Sequence, residues 1–284
     1  MQRFYPFLFV FLWSTGFIGA KYGLPYAEPL SFLLIRYGFV IALMTAIALA
    51  TRAPWPKEPK QWLHIGVSGV LVHAIYLGGV FVAIKHGLPA GITALVVGMQ
   101  PLLTAFVAGW LLGEKVSGRQ WGGLALGFVG VGLVVSGKLG DGALGPMLVP
   151  ALIALLGITV GTLYQKRFCA KFDLRTGSVI QFVPTAVLTA IAVALYEDYK
   201  IEWTGQFAFA LGWLVLVLSI GAISLLNLLI RSGSAVNVAT LFYLTPPSTA
   251  IIAWLLFDET LGGLAIAGML LAVSGVYLAR ARPQ

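Results

Sequence analysis

The sequence predicts an all-α integral membrane protein: ten transmembrane helices, arranged as two inverted five-helix repeats around a central cavity. Three observations predict it. First, of 284 residues 59% are hydrophobic and only 10% charged, with a mean hydropathy of +0.94. Soluble domains carry about 25% charged residues, so lipid must be the main solvent of this chain. Second, the chain repeats itself at an offset of 145 residues. Pro101 and Pro246 match, as do Glu114 and Glu259, Gly118 and Gly263, Gly123 and Gly268, and Gly130 and Gly275. The same offset pairs Gly16 with Gly161, Lys21 with Lys166 and Gln61 with Gln206, and one gap later Thr45-Ala46-Ile47-Ala48 aligns with Thr189-Ala190-Ile191-Ala192. Third, the loop cations alternate along the chain in a way that fixes an orientation.

A spanning helix needs about 20 mostly apolar residues. Ten segments qualify: 4–23, 30–50, 62–84, 89–112, 118–136, 147–167, 176–196, 208–230, 234–257 and 262–280. The first has only Arg3 before it and no small-x-small cleavage site after it, so it reads as a retained helix rather than a signal peptide. The next four open after breaks at Pro25 to Pro29, Pro54 to Pro59, His86 to Pro89 and Gly113 to Gly118, and the sixth follows the stretch from Gly137 to Pro146. No loop is long enough to hold a soluble domain.

With the amino terminus inside, the inside segments carry 13 cations (Arg3; Arg52, Lys57, Lys60; Lys115, Arg119; Lys166, Arg167, Lys171, Arg175; Arg231; Arg280, Arg282) and the outside segments carry 4 (Lys21, Lys85, Lys138, Lys200). Positive charge marks the cytoplasmic side, so both termini are expected in the cytoplasm and the protein in a bacterial inner (plasma) membrane. Each repeat, 1–139 and 146–284, then holds an odd number of helices, and the second must enter the membrane from the opposite side. The two form one transport unit, since inverted repeats place a solute site between their halves near the midplane.

The opening Leu12-Trp13-Ser14-Thr15-Gly16-Phe17, the stretch Lys21-Tyr22-Gly23-Leu24-Pro25, Arg36-Tyr37, and the repeated Pro101…Leu112-Gly113-Glu114 and Pro246…Phe257-Asp258-Glu259 stand in order along the chain. In this set the chain resembles the drug/metabolite transporter superfamily, specifically its EamA-type exporters, and within them it looks most like the YddG-type amino-acid exporters. The resemblance covers nearly the full length. It implies export of small metabolites, commonly amino acids.

Polar side chains inside a membrane are costly and face a cavity or a helix partner. Gly66, Gly69, His73 and Tyr76 recur at helical spacing, so His73 and Tyr76 read either as a cavity wall or as groups satisfied by a neighbouring helix. Trp13 and Phe17 share a helix face suited to the apolar part of a solute, or to plain packing. Lys21, one turn further, either gates or snorkels. Arg36 is placed to take a carboxylate in a bidentate manner, to reach headgroups, or to pair with Glu28. Pro101 and Pro246 are expected to kink their helices and act as hinges, with Gln100 and Tyr243 beside them. Tyr164, Gln165, Gln181, Ser224 and Asn227 complete a set of neutral polar groups that suits a zwitterionic solute and not a phosphate.

The single cysteine, Cys169, excludes an internal disulfide and a thiolate metal cluster, and three scattered histidines argue against a His-based metal site. No cofactor and no metal are expected, and the partners are a small solute and lipid, with the chain a monomer or weak homodimer and no nucleic acid. All ten acids fall in loops or at helix ends, which points to a uniporter or exchanger rather than strict proton coupling. An enzyme would need a paired-carboxylate, metal or nucleophile-and-base site at depth, and a channel would need polar rings; neither is visible. A flippase of a lipid-linked intermediate or a multidrug exporter on the same fold remains the alternative to alternating-access export of aromatic and neutral amino acids.

Overall fold

The computed structural model describes residues 4–88, 93, 96–136, 145–169, 171–257 and 262–279. Apart from one isolated bridge between Ala27 and Ile201, the regular structure of the described residues is helical. Two helices open on a proline, α2 (Pro29–Ala50) and α3 (Pro59–Lys85), after α1 (Tyr5–Gly23). Proline suits the first helical turn because its missing N–H has no partner there anyway. Then come α4 (Gln100–Leu112), α5 (Gly118–Ser136), α6 (Gly145–Phe168), α7 (Leu174–Tyr196), α8 (Gly205–Ser232), α9 (residues 235–257) and α10 (Gly263–Ala279). Gly113 ends α4 in the left-handed region at φ +69°, and the following N–H, that of Glu114, returns to the Ala108 carbonyl. Glycine takes that conformation without a Cβ penalty.

Among the described residues six helices are long and apolar enough to cross a membrane: Tyr5–Tyr26, Pro29–Ala50, Pro59–Lys85, Leu148–Phe168, Leu174–Tyr196 and Gly205–Ser232. Gln100–Leu112 and Ile266–Ala279 are apolar but shorter. Of the segment predicted over 89–112, residues 89–92 and 94–95 lie outside the described residues.

The expected mid-helix kinks at Pro101 and Pro246 take a different form. Pro101 stands in the first turn of α4, directly after a turn at 98–99. Pro246 stands in the first turn of Thr245–Phe257, after the short helix Ala235–Thr240 and a 3-10 turn over Leu241–Leu244. Each proline thus begins a helix next to a break instead of bending one, and no hydrogen bond is lost to it.

Two sets of structural features recur at the offset of the sequence repeat. α3 widens into π-helix over Val70–Leu77, and α8 does so over Leu214–Ala222. These segments end 145 residues apart, the offset of the sequence repeat. α5 packs along α10 through small residues. A Cβ on Gly123 would lie 2.7 Å from the Gly275 carbonyl oxygen, and one on Gly130 would lie 2.7 Å from that of Gly268. Adding 145 to the first residue of each pair gives the partner in the other pair.

α2 packs on α7 and is tied to it at both ends. The Glu197 carboxylate accepts from the backbone N–H of Leu30 (2.8 Å) and Ser31 (2.7 Å) and from the Ser31 hydroxyl (2.8 Å), so it caps the start of α2. At the other end the Thr176 hydroxyl donates to the Pro54 carbonyl at 2.9 Å. α1 lies against α8 and α9, and α3 lies against α6 and α7. The void that follows is bounded by α1, α3 and α8.

Candidate functional site

A cavity with about 40 Å³ of room for a water-sized sphere lies between α1, α3 and α8. Trp13, Phe17, Tyr76, Phe81 and Leu218 supply an aromatic and aliphatic wall, and Arg36 reaches in from α2. The Trp13 and Tyr76 rings stack with centroids 6.2 Å apart and planes 12° apart. The wide π turn of α3 contributes Tyr76 to this wall, and in the same turn the His73 carbonyl accepts from the Tyr37 hydroxyl at 2.8 Å. Such widened turns cluster at functional positions.

Arg36 is 3% exposed. Its Nε donates to the Ser219 hydroxyl at 2.9 Å, in the π segment of α8. Among the described residues no carboxylate pairs with it. The expected alternative of a pair with Glu28 is not what the structure has, because Glu28 pairs with Lys85 at 3.4 Å. A buried charge without a counter-charge is strongly unfavourable, and this one lines the cavity.

Trp13 and Phe17 also line a narrower void with Gly98, Phe242, Thr245 and Pro246, where the breaks before both prolines converge. Beyond it, toward the start of α1, Phe9, Trp13 and Phe242 pack ring on ring with centroids 5.1–5.4 Å apart. Two charged side chains bond to the backbone between α8 and α9. The Glu114 carboxylate accepts from the backbone N–H of Ala235 (2.8 Å) and Val236 (3.4 Å). The Lys166 ammonium donates to the carbonyls of Ile230 (2.8 Å) and Gly233. Both therefore hold the turn between α8 and α9.

The other sequence candidates fall outside the cavity wall. His73 is buried against Phe182, ring on ring at 4.1 Å, between α3 and α7. Gln165 donates to Asn227 at 2.7 Å, and Gln181 donates to Ser68 at 3.1 Å and to Gln165 at 3.5 Å, a polar chain across α3, α6, α7 and α8. Gln100 donates to Thr162 at 3.3 Å. Tyr164 turns aside to His64, with oxygen and Nδ1 2.6 Å apart, and packs on Phe168. Tyr243 is fully buried in the cluster around Leu124, Val131, Ala272 and Val276. The Lys21 side chain and Glu259 lie outside the described residues. Among the described residues no group of His, Cys, Asp and Glu is arranged to hold a metal.

Sequence reasoning missed Ser219, Phe242, Thr162 and the capping role of Glu114. Phe81, Leu214, Leu218 and Ile223 carry no signal, since apolar residues fill every helix here. Ser219 had one: it is a lone hydroxyl in the most apolar stretch of α8.

Comparison with known proteins places this geometry in context. The sequence model of the EamA-like transporter family matches the chain twice, over residues 4–136 and 145–281. An uncharacterized transporter of Bacillus subtilis, YvbV, is 28% identical over 283 residues, covering 95% of this chain and 88% of that one. A probable amino-acid metabolite efflux pump of Escherichia coli is 28% identical over 285 residues, covering 95% and 92%. The inner membrane transporter YedA of the same organism is 26% identical, covering 98% and 92%. One solved crystal structure superposes with a TM-score of 0.78 at 22% identity, over 98% of this chain and 96% of that one, and so shares the fold.

Proposed function

The chain belongs to the EamA-like transporter family, and from that premise we propose that it exports small organic metabolites, foremost aromatic and neutral amino acids, by alternating access at the cavity beneath Arg36. The single observation that carries the amino-acid reading is Arg36, a buried guanidinium facing an aromatic cavity with no carboxylate beside it among the described residues. A solute carboxylate supplies the missing counter-charge and accepts two parallel N–H bonds. Trp13, Phe17 and Tyr76 then take the apolar side chain. The efflux-pump name of the Escherichia coli relative supports the same solute class.

Ten spans in two inverted repeats, 1–139 and 146–284, form the frame of this mechanism. The π segments 145 residues apart and the reciprocal Gly123–Gly275 and Gly130–Gly268 contacts support it. α2 with α7 and α5 with α10 serve as scaffold. Helices α1, α3, α4 and α6 with their counterparts move around the site, hinging at the breaks before Pro101 and Pro246. Glu114 and Lys166 hold the cytoplasmic end shut, and Lys21 stands toward the other end. His73, Gln165, Gln181, Asn227, Gln100, Tyr164 and Tyr243 flank the path the solute takes when that end opens. The termini face the cytoplasm of a bacterial inner membrane, and the unit of transport is the single chain.

Uptake and counterflow of labelled phenylalanine and leucine into liposomes holding the purified protein, with and without a pH gradient, tests this. Saturable counterflow indifferent to the gradient is expected of a uniporter or exchanger. Uphill uptake driven by the gradient contradicts that coupling. No flux of any amino acid by folded protein shifts the solute to drug-like or lipid-linked molecules.

A further inference from the structure

A groove of about 560 Å³ runs between α3 and α7 on the outer face of the molecule, away from the solute site. Its walls are carbon: Leu63, Val67 and Leu71 on one side, Val183 and Leu188 on the other, with Gly66 and Pro184 meeting at its floor. A Cβ on Gly66 would lie 3.3 Å from Pro184 Cγ, so glycine there keeps the groove deep. The α3 wall runs from Trp62 to Leu71 and the α7 wall from Val179 to Leu188. At 1.5 Å per residue each wall is about 14 Å long. Half the hydrocarbon core of a bilayer is about 15 Å, so the groove has the length of one leaflet.

Its Trp62 end carries the marks of the headgroup level. Trp55 and Trp62 stack with centroids 5.6 Å apart, and Trp62 Nε1 donates to the Pro56 carbonyl at 2.8 Å. Tryptophans with a polar tip gather at that depth. Lys57 and Lys60 are exposed there. Lys60 precedes Leu63 by three residues and Val67 by seven, so it continues the groove-lining stripe of α3. It is also the second residue of α3, where the helix dipole opposes a cation and favours an anion. Among the described residues Arg52, Lys57, Lys60 and Arg175 flank this end against two acids, Glu58 and Asp173, and Asp173 is already paired with Arg175 at 2.7 Å.

We propose that this groove holds an acyl chain of one anionic phospholipid, with its phosphate taken by Lys60 at the start of α3. A lysine ammonium beside an interfacial tryptophan suits a phosphodiester. The length and carbon lining suit the chain below it. The far end of the groove touches Val70 and Leu71, which begin the π segment that carries Tyr76. The lipid therefore braces the helix wall of the solute cavity from behind.

The test is native mass spectrometry of the full-length protein in detergent, with palmitoyl-oleoyl phosphatidylglycerol and the matching phosphatidylcholine as probes. Wild type is expected to retain one phosphatidylglycerol in preference to phosphatidylcholine. Lys60→Gln weakens the phosphatidylglycerol complex about fivefold, the worth of one lysine at an anionic membrane surface, and narrows its margin over phosphatidylcholine, which has the same phosphodiester but no net charge. Val67→Trp fills the groove and removes that bound lipid. Val183→Trp fills it from the opposite wall and does the same should Val67→Trp fail to fold. Leu152→Trp, on an exposed face of α6, changes nothing. Equal retention of both lipids by wild type, or unchanged retention by Lys60→Gln and the groove-filling variants, overturns the proposal. No solute enters the experiment, so its outcome is independent of the amino-acid reading.

Discussion

Gly123 and Gly275 lie backbone to backbone, so that a Cβ built on Gly123 falls 2.7 Å from the Gly275 carbonyl oxygen and one on Gly275 falls 2.6 Å from that of Gly123. Helices in lipid have no hydrophobic drive to associate and rely on such close approach. Gly123→Leu is expected to lower stability by about 1–3 kcal/mol through overpacking. Gly122→Leu, whose Cβ meets nothing within 4 Å, is expected to cost little. Thermal unfolding of the two variants in one detergent checks the difference.

Glu114 caps the helix that begins at Ala235. Glu114→Ala removes both acceptors and should cost about 1 kcal/mol, as loss of a helix cap does. Glu114→Gln keeps an acceptor oxygen and should cost less. The order of the three melting temperatures, wild type, then glutamine, then alanine, is the expected reading.

Cys169 is 4% exposed, among Ile65, Phe172 and Ile180, and burial pushes its thiol up to about 11. The thiolate is the reactive form. Alkylation of the folded protein should be slow at neutral pH and rise by about tenfold per pH unit until the pH nears that value. Timed maleimide labelling followed by mass measurement checks this, with no background because the chain has a single cysteine.

Asp173 opens α7 and accepts from the Arg175 side chain (2.7 and 3.0 Å) and from the Arg175 backbone N–H (2.9 Å). The Arg175 side chain holds its carboxyl below the ordinary value of 3.8. A lowered native value means stabilisation that is full above 3.8 and is lost as the pH falls through the native value. Asp173→Ala should therefore lower the melting temperature at pH 7, with the gap to wild type closing in strong acid.

Much of the fold was legible because lipid imposes it. Apolar runs of span length and their punctuation by Pro29, Pro59 and Gly113 set helix ends to within a few residues of those in the structure. The offset of 145 marked Gly123, Gly130, Gly268 and Gly275 as equivalent small residues but not that α5 packs on α10, since a repeat offset names equivalent positions and not contacts. The site was less legible. Trp13, Phe17, Tyr76 and Arg36 meet, because aromatic and charged groups stand out against an apolar background. His73 and Tyr164 stood out equally and point elsewhere, because one or two residues of rotation on a helix, about 100° each, decide between cavity and neighbour. The π turns of α3 and α8 shift that rotation, and no periodicity in the sequence announces them. Pro101 and Pro246 were legible as points of discontinuity in their segments, but proline does not say on which side the break falls, and in the structure it falls just before each of them.

The most direct test of the account is the effect of Arg36 on which solutes compete for counterflow of labelled phenylalanine. The wild-type protein should be inhibited by unlabelled phenylalanine and not by phenethylamine, which has the ring and the amine without the carboxylate. Arg36→Lys keeps the charge and loses the planar fork. It should weaken phenylalanine competition by about tenfold or more, the worth of a hydrogen bond to a charged group. Arg36→Gln should erase the distinction between the two competitors. Equal inhibition by phenethylamine in wild type, or an unchanged phenylalanine KM in folded Arg36→Gln, would contradict a carboxylate seat at this arginine.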